Sequence, residues 1–405
     1  MTPPLLEARG ITKRFPGVTA LSEVSFDLRA GEVHALCGEN GAGKSTLIKL
    51  LSGLHPHGSY EGTLEVDGRE ARFRSVADAE RAGIAVICQE LALVPEMSAA
   101  ENIFLGAYPG RPLIDWETVR RDAAALLERF GVAIDPDASA RSLGTGQRQL
   151  VEIVKALRKR SRVLILDEPT AALTEAETEV LLRILRGLRA EGLACVYISH
   201  RLDEVFALAD RVTVLRDGRT VGTQRAAQTT KGEVIRRMVG REITDLFPRR
   251  ASQPGAPALE VLGLSASPAA GRPAFLRGVS FTVRAGEVLG FGGLMGAGRT
   301  ELLMHLFGAW GRRLAGTVTL HGRPFAPASP RDAFARGLAL VSEDRRRYGL
   351  VLAQTVGFNL SLSSLRRLSR GGLLDAAREE RENGAQAKAL RVKAAGLEAS
   401  TGGLS

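Results

Sequence analysis

Gly38-Glu39-Asn40-Gly41-Ala42-Gly43-Lys44-Ser45-Thr46 fills every fixed position of G-x-x-x-x-G-K-[ST], a pattern whose chemistry is phosphate binding. Glycines let the backbone turn its N–H groups inward, and the helix start that follows favours negative charge. Lys44 is placed to reach β- and γ-phosphates and Ser45 to ligate Mg²⁺, so a nucleoside triphosphate is the expected ligand. Asp167-Glu168 supplies two carboxylates suited to Mg²⁺ and a reacting water, and Gln89 supplies an amide that could touch the same ion or water. His200, one of six histidines, ends another apolar run. Leu143-Gly144-Thr145-Gly146-Gln147 is a Gly-bearing turn ahead of a helix, again able to present N–H groups to an anion. Phe15 is a candidate for stacking on an adenine face, with an ordinary core position as the alternative.

These residues need a scaffold, and the hydrophobic pattern supplies one. Val33 to Cys37 reads as a buried strand leading into the glycine loop, and Thr46 to Leu51 opens a helix. Leu6–Ile11 and Val24–Leu28 alternate apolar and polar residues and predict antiparallel strands, a small β-layer closed by the turn Ala30-Gly31-Glu32. Gly62–Gly68 predicts a further strand, and Ile84–Cys88 a buried one delivering Gln89. From Ser98 to Leu157 the spacing becomes helical, clearest in Val119–Phe130 and Leu150–Leu157. Val163–Leu166 is an apolar strand running into Asp167-Glu168, and Ala194–Ile198 is another running into Ser199-His200. Both place their polar residues at a strand's C-terminal end, where doubly wound sheets keep their chemistry.

Composition narrows the class. The 405 residues carry 44% hydrophobic content and a net charge of +10, enough apolar material for more than one core. The basic residues are spread along the chain without aromatic interleaving, so no nucleic-acid partner is expected. No apolar run approaches the roughly 18 residues of a membrane span, and the start Met1-Thr2-Pro3-Pro4-Leu5-Leu6-Glu7 lacks the pattern of a signal peptide; a cytoplasmic location is expected. Cys37, Cys88 and Cys195 lie in apolar runs without the paired spacing of a zinc site.

The chain also repeats itself. Val279-Ser280-Phe281 echoes Val24-Ser25-Phe26, and Ala285-Gly286-Glu287-Val288 echoes Ala30-Gly31-Glu32-Val33, both at an offset of 255 residues (286 − 31). The same offset lays Gly293, Gly296, Gly298, Arg299 and Thr300 over the first glycine loop, with Arg299 in place of Lys44, and Glu343 falls over Gln89 one residue short. A planar guanidinium is not equivalent to an ammonium between phosphates, and a carboxylate there repels them, so the second site reads as degenerate. Residues 248–257, rich in Pro, Gly and Ser, read as a linker between a first domain (1–247) and a second (258–405).

Taken together these motifs resemble the ATP-binding cassette family: Walker A at Gly38–Thr46, Q-loop Gln89, signature Leu143–Gln147, Walker B Val163–Asp167 followed by Glu168, D-loop Ala171–Thr174, and switch His200. The tandem layout, the degenerate second Walker A and Ser342-Glu343-Asp344-Arg345 resemble the sugar-importer ATPases of the ribose, galactose and xylose type. Leu36–Gly41, His55–Gly62, Leu143–Gln147 and Tyr197–Leu202 are similar to the xylose-type subgroup. The resemblance implies an α/β fold of tandem P-loop NTPase domains, each a RecA-like core with an antiparallel β-layer and a helical subdomain, the second incomplete. It implies ATP and Mg²⁺, with Ser45, Gln89 and Asp167 organising the metal, Glu168 as general base and His200 at the γ-phosphate. It implies a membrane permease and, indirectly, a periplasmic or extracellular sugar-binding protein as partners, and a peripheral place on the cytoplasmic face of the membrane.

Two motifs depart from the general family: Gly144 stands where a Ser is usual, and the D-loop ends in Thr174 where an Asp is usual. At the first domain's spacing of 105 residues (143 − 38) a second signature would begin near residue 398, and Leu404-Ser405 matches its first two positions. The first Walker A would face that second signature, and a homodimer using Leu143–Gln147 in trans is the other arrangement. Arg299, Glu343 and the cut signature leave a non-hydrolytic or vestigial ATP-binding module open. A soluble ABC ATPase acting on ribosomes or nucleic acid would be expected to carry a long charged linker.

Overall fold

Leu6–Phe15 (β1) and Val18–Leu28 (β2) bury Leu6, Ala8, Ile11, Leu21, Val24, Phe26 and Leu28, and pair antiparallel with Leu6 opposite Leu28 and Phe15 opposite Val18. The structure, a computed structural model, describes residues 3–87, 92–110, 112–159, 161–171, 173–240, 253–294, 296–342 and 344–403. These form two units. In the first, Val33–Cys37 (β3) leads through the glycine loop into Lys44–Leu51 (α1). Glu61–Val66 (β4) and Arg69–Glu70 (β5) complete a four-stranded antiparallel sheet with β1 and β2.

Val76–Arg81 (α2) and Ile84–Ile87 (β6) follow, then the helical stretch Ala99–Phe104 (α3), Trp116–Arg129 (α4) and Thr145–Arg158 (α5). Each of the first two begins on a side-chain cap: Ser98 accepts from the Glu101 N–H and Asp115 from the Thr118 N–H, satisfying donors that a helix start leaves open. Val163–Asp167 (β7), Glu175–Ala190 (α6), Ala194–Ile198 (β8), Leu202–Leu208 (α7), Arg211–Arg216 (β9), Arg219–Arg225 (β10) and Lys231–Val239 (α8) close the unit.

The central sheet runs β10-β9-β3-β8-β7-β6, parallel except for the β9–β10 hairpin. Strands covered on both faces must be apolar throughout, and Val163–Leu166 and Ala194–Ile198 are buried at every position. Their alternation divides two cores. Leu164, Leu166, Cys195 and Tyr197 face the helices, while Val163, Ile165, Val196 and Ile198 join α1 and the antiparallel layer. Each Leu or Ile so enclosed contributes about 1.5–3 kcal/mol.

Two polar residues, His34 in β3 and Thr213 in β9, are buried within the same sheet. His34, fully buried in β3, has both ring nitrogens satisfied, by Asp27 O and Thr213 Oγ1, each at 2.7 Å. Burial, reinforced by the Arg211 charge, lowers its pKa to about 3, so the ring is neutral.

The second unit opens with Pro257–Ser267 (β11) and Leu276–Arg284 (β12), followed by Arg299–Leu306 (α9), Arg312–Leu320 (β13) and Arg323–Pro324 (β14). The strands form an antiparallel sheet in the order β12-β11-β13-β14, the repeat of the first unit's outer layer. Val261, Leu264, Leu302, Leu306, Val318 and Phe325 fill its core. Pro330–Ala335 (α10), Val356–Ser361 (α11), Leu365–Leu368 (α12) and Ala376–Ala389 (α13) add helices, α11 and α13 tied by Asn383 Nδ2 donating to Gly357 O.

The repeat stops short of a parallel sheet. Val288 and Val341, in the segments that correspond to β3 and β6, are both 98% exposed, and neither segment is a strand. In the first unit β3 is hydrogen-bonded by β8 and β9, and β6 by β7. Among the described residues of the second unit no strands take those places, so the apolar segments have no ladder to join.

Candidate functional site

The glycine loop is shaped by backbone contacts that leave no room for side chains. A Cβ on Gly43, at φ +102°, would come within 2.7 Å of Leu21 Cδ2 and 2.8 Å of Ala20 O, and one on Gly38 would meet Leu215 O at 2.5 Å. No side chain caps α1, and no acidic residue occupies its first turn, which leaves the opening N–H groups to an anion. Lys44 Nζ donates to Gly38 O (2.7 Å) and Glu39 O (3.0 Å). Burial pulls the ammonium below the ordinary lysine value, while the Glu168 and Asp167 carboxylates oppose that pull.

Asp167 ends β7 facing this lysine. Burial is the main cause that raises its carboxyl above the usual range, aided by the neighbouring Glu168 charge; Lys44 and a hydrogen bond with Ser45 work against it. A partly desolvated carboxylate bonded to a serine hydroxyl is a hard oxygen donor set, the kind Mg²⁺ takes from a protein while phosphates supply further ligands. Among the described residues no group of three or more His, Cys, Asp or Glu could hold a metal, and a site completed by phosphate needs none. The residues present fit the ion.

Glu168 turns away from the strand at φ +49°, a left-handed conformation that costs a non-glycine residue about 1–3 kcal/mol. Its N–H donates to Ile198 O at 3.0 Å, so β8 holds the turn. His200, two residues beyond Ile198, brings Nδ1 to 3.4 Å from Glu168 Oε1; the histidine side chain is 63% exposed and the glutamate 18%. Lys44, Ser45, Asp167, Glu168 and His200, distant in sequence, thus meet at one sheet edge. Gln89 lies outside the described residues.

Phe15 ends β1, 38% exposed, with the His55 ring edge-on at 5.5 Å and Lys13 Nζ 5.1 Å from its centroid. Its hairpin abuts the glycine loop through Ala20 and Leu21. Leu143 is buried, and Gly144 donates its N–H to Gln147 Oε1 at 3.1 Å, opening α5 at Thr145. Gly146 lies against the Glu177 carboxylate, which a Cβ would approach within 2.2 Å. That carboxylate accepts from Thr174 N–H (2.8 Å) and Oγ1 (2.9 Å). Thr174, a departure from the family pattern, is therefore the N-cap of α6 in a reciprocal capping box with Glu177, a role that Thr-x-x-Glu in the sequence signals.

In the second unit Gly298 keeps a positive φ of 88° and caps α9, reproducing the loop's exit. Arg299 and Thr300 are exposed, and Arg299 Cδ would lie 3.8 Å from a Cβ on Gly293. Gly296 keeps φ +78°. Glu343 and Leu404-Ser405 lie outside the described residues, as do residues 248–252 of the proposed linker.

A glycine loop closed on its own lysine beneath a parallel sheet makes the first unit a P-loop nucleotide-binding domain. Residues 21–171 match the family described as ABC transporter. The chain is 49% identical over 403 residues to the xylose import ATP-binding protein of Moorella thermoacetica, covering 99% of this chain and 80% of that one. It is 50% identical over 388 residues to the ribose import ATP-binding protein of Chromobacterium violaceum, covering 95% and 76%. A nucleotide-free ATP-binding cassette from an ABC transporter, known from a crystal structure, is similar with a TM-score of 0.51 and 27% identity, over 59% of this chain and 96% of that one. The chain belongs to the ABC-transporter ATP-binding family: it is an ABC ATPase and binds ATP. Among the described residues no helix is long and apolar enough to cross a membrane.

Proposed function

We propose that this chain is the ATP-hydrolysing subunit that energises import of a monosaccharide, D-xylose or a related pentose or hexose, through a membrane permease. The observation that carries the reading is the alignment with xylose and ribose import ATP-binding proteins over nearly the whole chain, with Lys44, Asp167, Glu168 and His200 converging in the first unit. A permease and, through it, an extracellular or periplasmic sugar-binding protein are the partners, and the subunit sits on the cytoplasmic face of the inner membrane. Residues 1–247 form the hydrolytic domain, 248–257 a linker and 258–405 the second domain.

Phe15 stacks on the adenine, and Lys44 with the amides of residues 39–46 neutralises the phosphates. Ser45 and Asp167, joined by Gln89, hold Mg²⁺, which supplies charge to the phosphate oxygens when bound. Glu168 polarises the attacking water as general base, and His200 holds that water and meets the γ-phosphate. Such catalysis is positioning plus electrostatics. Leu143–Gln147 serves a nucleotide in trans, in a sandwich of two cassettes. The exposure of Arg299, Val288 and Val341 favours a non-hydrolytic role for the second unit, so turnover is assigned to the first.

The test is reconstitution with a sugar permease from the same organism. ATP-dependent uptake of labelled xylose above ribose and galactose supports the reading; ATP hydrolysis without uptake of any of the three overturns it.

A further inference from the structure

We propose that Glu204 is a positioning residue for hydrolysis, holding the chain after Glu168 and the chain around His200 to one buried carboxylate. It lies in α7 and is 5% exposed. Its Oε2 accepts three hydroxyls: Thr170 Oγ1 at 2.6 Å, Tyr197 OH at 2.8 Å and Ser199 Oγ at 3.2 Å. Its Oε1 is 2.6 Å from Arg201 Nη1. Ser199 Oγ also accepts the Arg201 N–H at 3.0 Å.

The positions of these donors give the carboxylate its meaning. Thr170 is two residues past Glu168, and Ser199 and Arg201 flank His200 on either side. Thr170, Tyr197 and Ser199 are all buried, so their hydroxyls have no water to turn to if the acceptor is lost. Glu168 stands in a left-handed turn and His200 is largely exposed. The buried carboxylate beneath receives hydroxyls from the chain after Glu168 and from the chain before His200, and so ties the two segments together. Misplacing a catalytic group by about 1 Å can cost a hundredfold in rate.

This inference rests on the hydrolytic reading for its kinetic consequence but not for its structural one, and the full chain tests both. In Glu204→Gln, amide hydrogen exchange is expected to quicken about tenfold at residues 168–171 and 199–201 together, with residues 38–46 unchanged. The kcat for ATP falls about tenfold or more while KM stays within about twofold. Adding Ser199→Ala to that background costs less than it does alone, because the two act through one contact. Thr170→Val keeps the side-chain shape and removes a single donor; it quickens exchange at 168–171 alone, which decides the matter should the first variant not fold. Unchanged exchange at either segment, or kcat and KM shifting in step, overturns the inference. If the wild-type chain shows no turnover under any condition, the hydrolytic reading falls and the exchange result still settles whether Glu204 ties the two segments.

Discussion

Oε1 of Glu168 stands 3.4 Å from Nδ1 of His200, although each residue follows a different strand. The pairing is a product of register: β7 and β8 run parallel with Asp167 opposite Ile198, so the residues just beyond both strands emerge at the same height. A one-residue slip would reverse every buried side chain in Val163–Leu166, and the two-sided core resists it.

If Glu168 is the general base, Glu168→Gln keeps the shape and loses the basicity. ATP binding is expected to persist and turnover to fall by roughly 10² or more, the usual cost of one preorganised group. Equilibrium binding of a fluorescent ATP analogue beside steady-state phosphate release checks this. Unchanged turnover would remove Glu168 from the mechanism.

Lys44 donates to the glycine loop's carbonyls at Gly38 and Glu39, whereas Arg299 lies exposed in the second unit. Calorimetric titration is therefore expected to find one ATP per chain. Lys44→Ala weakens that binding about tenfold to a hundredfold, the range for hydrogen bonds to a charged group, and Arg299→Ala leaves it unchanged. Two equivalent sites, or a loss on Arg299→Ala, would contradict the assignment of binding to the first unit.

How far this could be read from the sequence follows from the range of each interaction. The glycine loop, the four-residue strand before Asp167 and the strand before His200 were legible because their patterns are local. The apolar stretch around Val288 resembles Val33–Cys37 equally well, yet it is not a strand, since a ladder requires neighbours that a local pattern does not display. Glu204 escaped for a related reason: Asp203-Glu204 looks like the acidic first turn of any exposed helix, and its burial depends on Thr170 and Tyr197 from other elements. Thr174 was legible as a cap through Glu177 three residues on, but reading it only as a missing Asp concealed that.

Gly146 and Glu177 are coupled closely enough to test in a cycle. Gly146→Ala drives a methyl into the carboxylate and displaces it from Thr174, with an expected destabilisation of about 0.5–2 kcal/mol, the worth of an N-cap. In a Glu177→Ala background the same substitution should cost little, because the clash and the cap are both gone. Chemical denaturation of the four proteins measures the coupling; additive costs would mean that the methyl is accommodated without moving Glu177.

His34 gives the first unit a pH dependence of calculable sign. The folded protein holds it neutral with a pKa of about 3, against an ordinary value of 6.5. Between those limits the unfolded chain binds a proton that the folded chain does not, so the unfolding free energy rises with pH. Its contribution is complete above about pH 6.5 and is lost as the pH falls towards 3, at up to about 1.4 kcal/mol per pH unit. His34→Gln removes this titration while giving up part of the bonding to Asp27 O and Thr213 Oγ1. At neutral pH the variant should be the less stable protein, and the two stability curves should converge as the pH is lowered from 6.5 to 4.5. Carboxylates elsewhere shift both curves alike, so the difference between them isolates the histidine; curves that stay parallel would mean that His34 takes up its proton without unfolding.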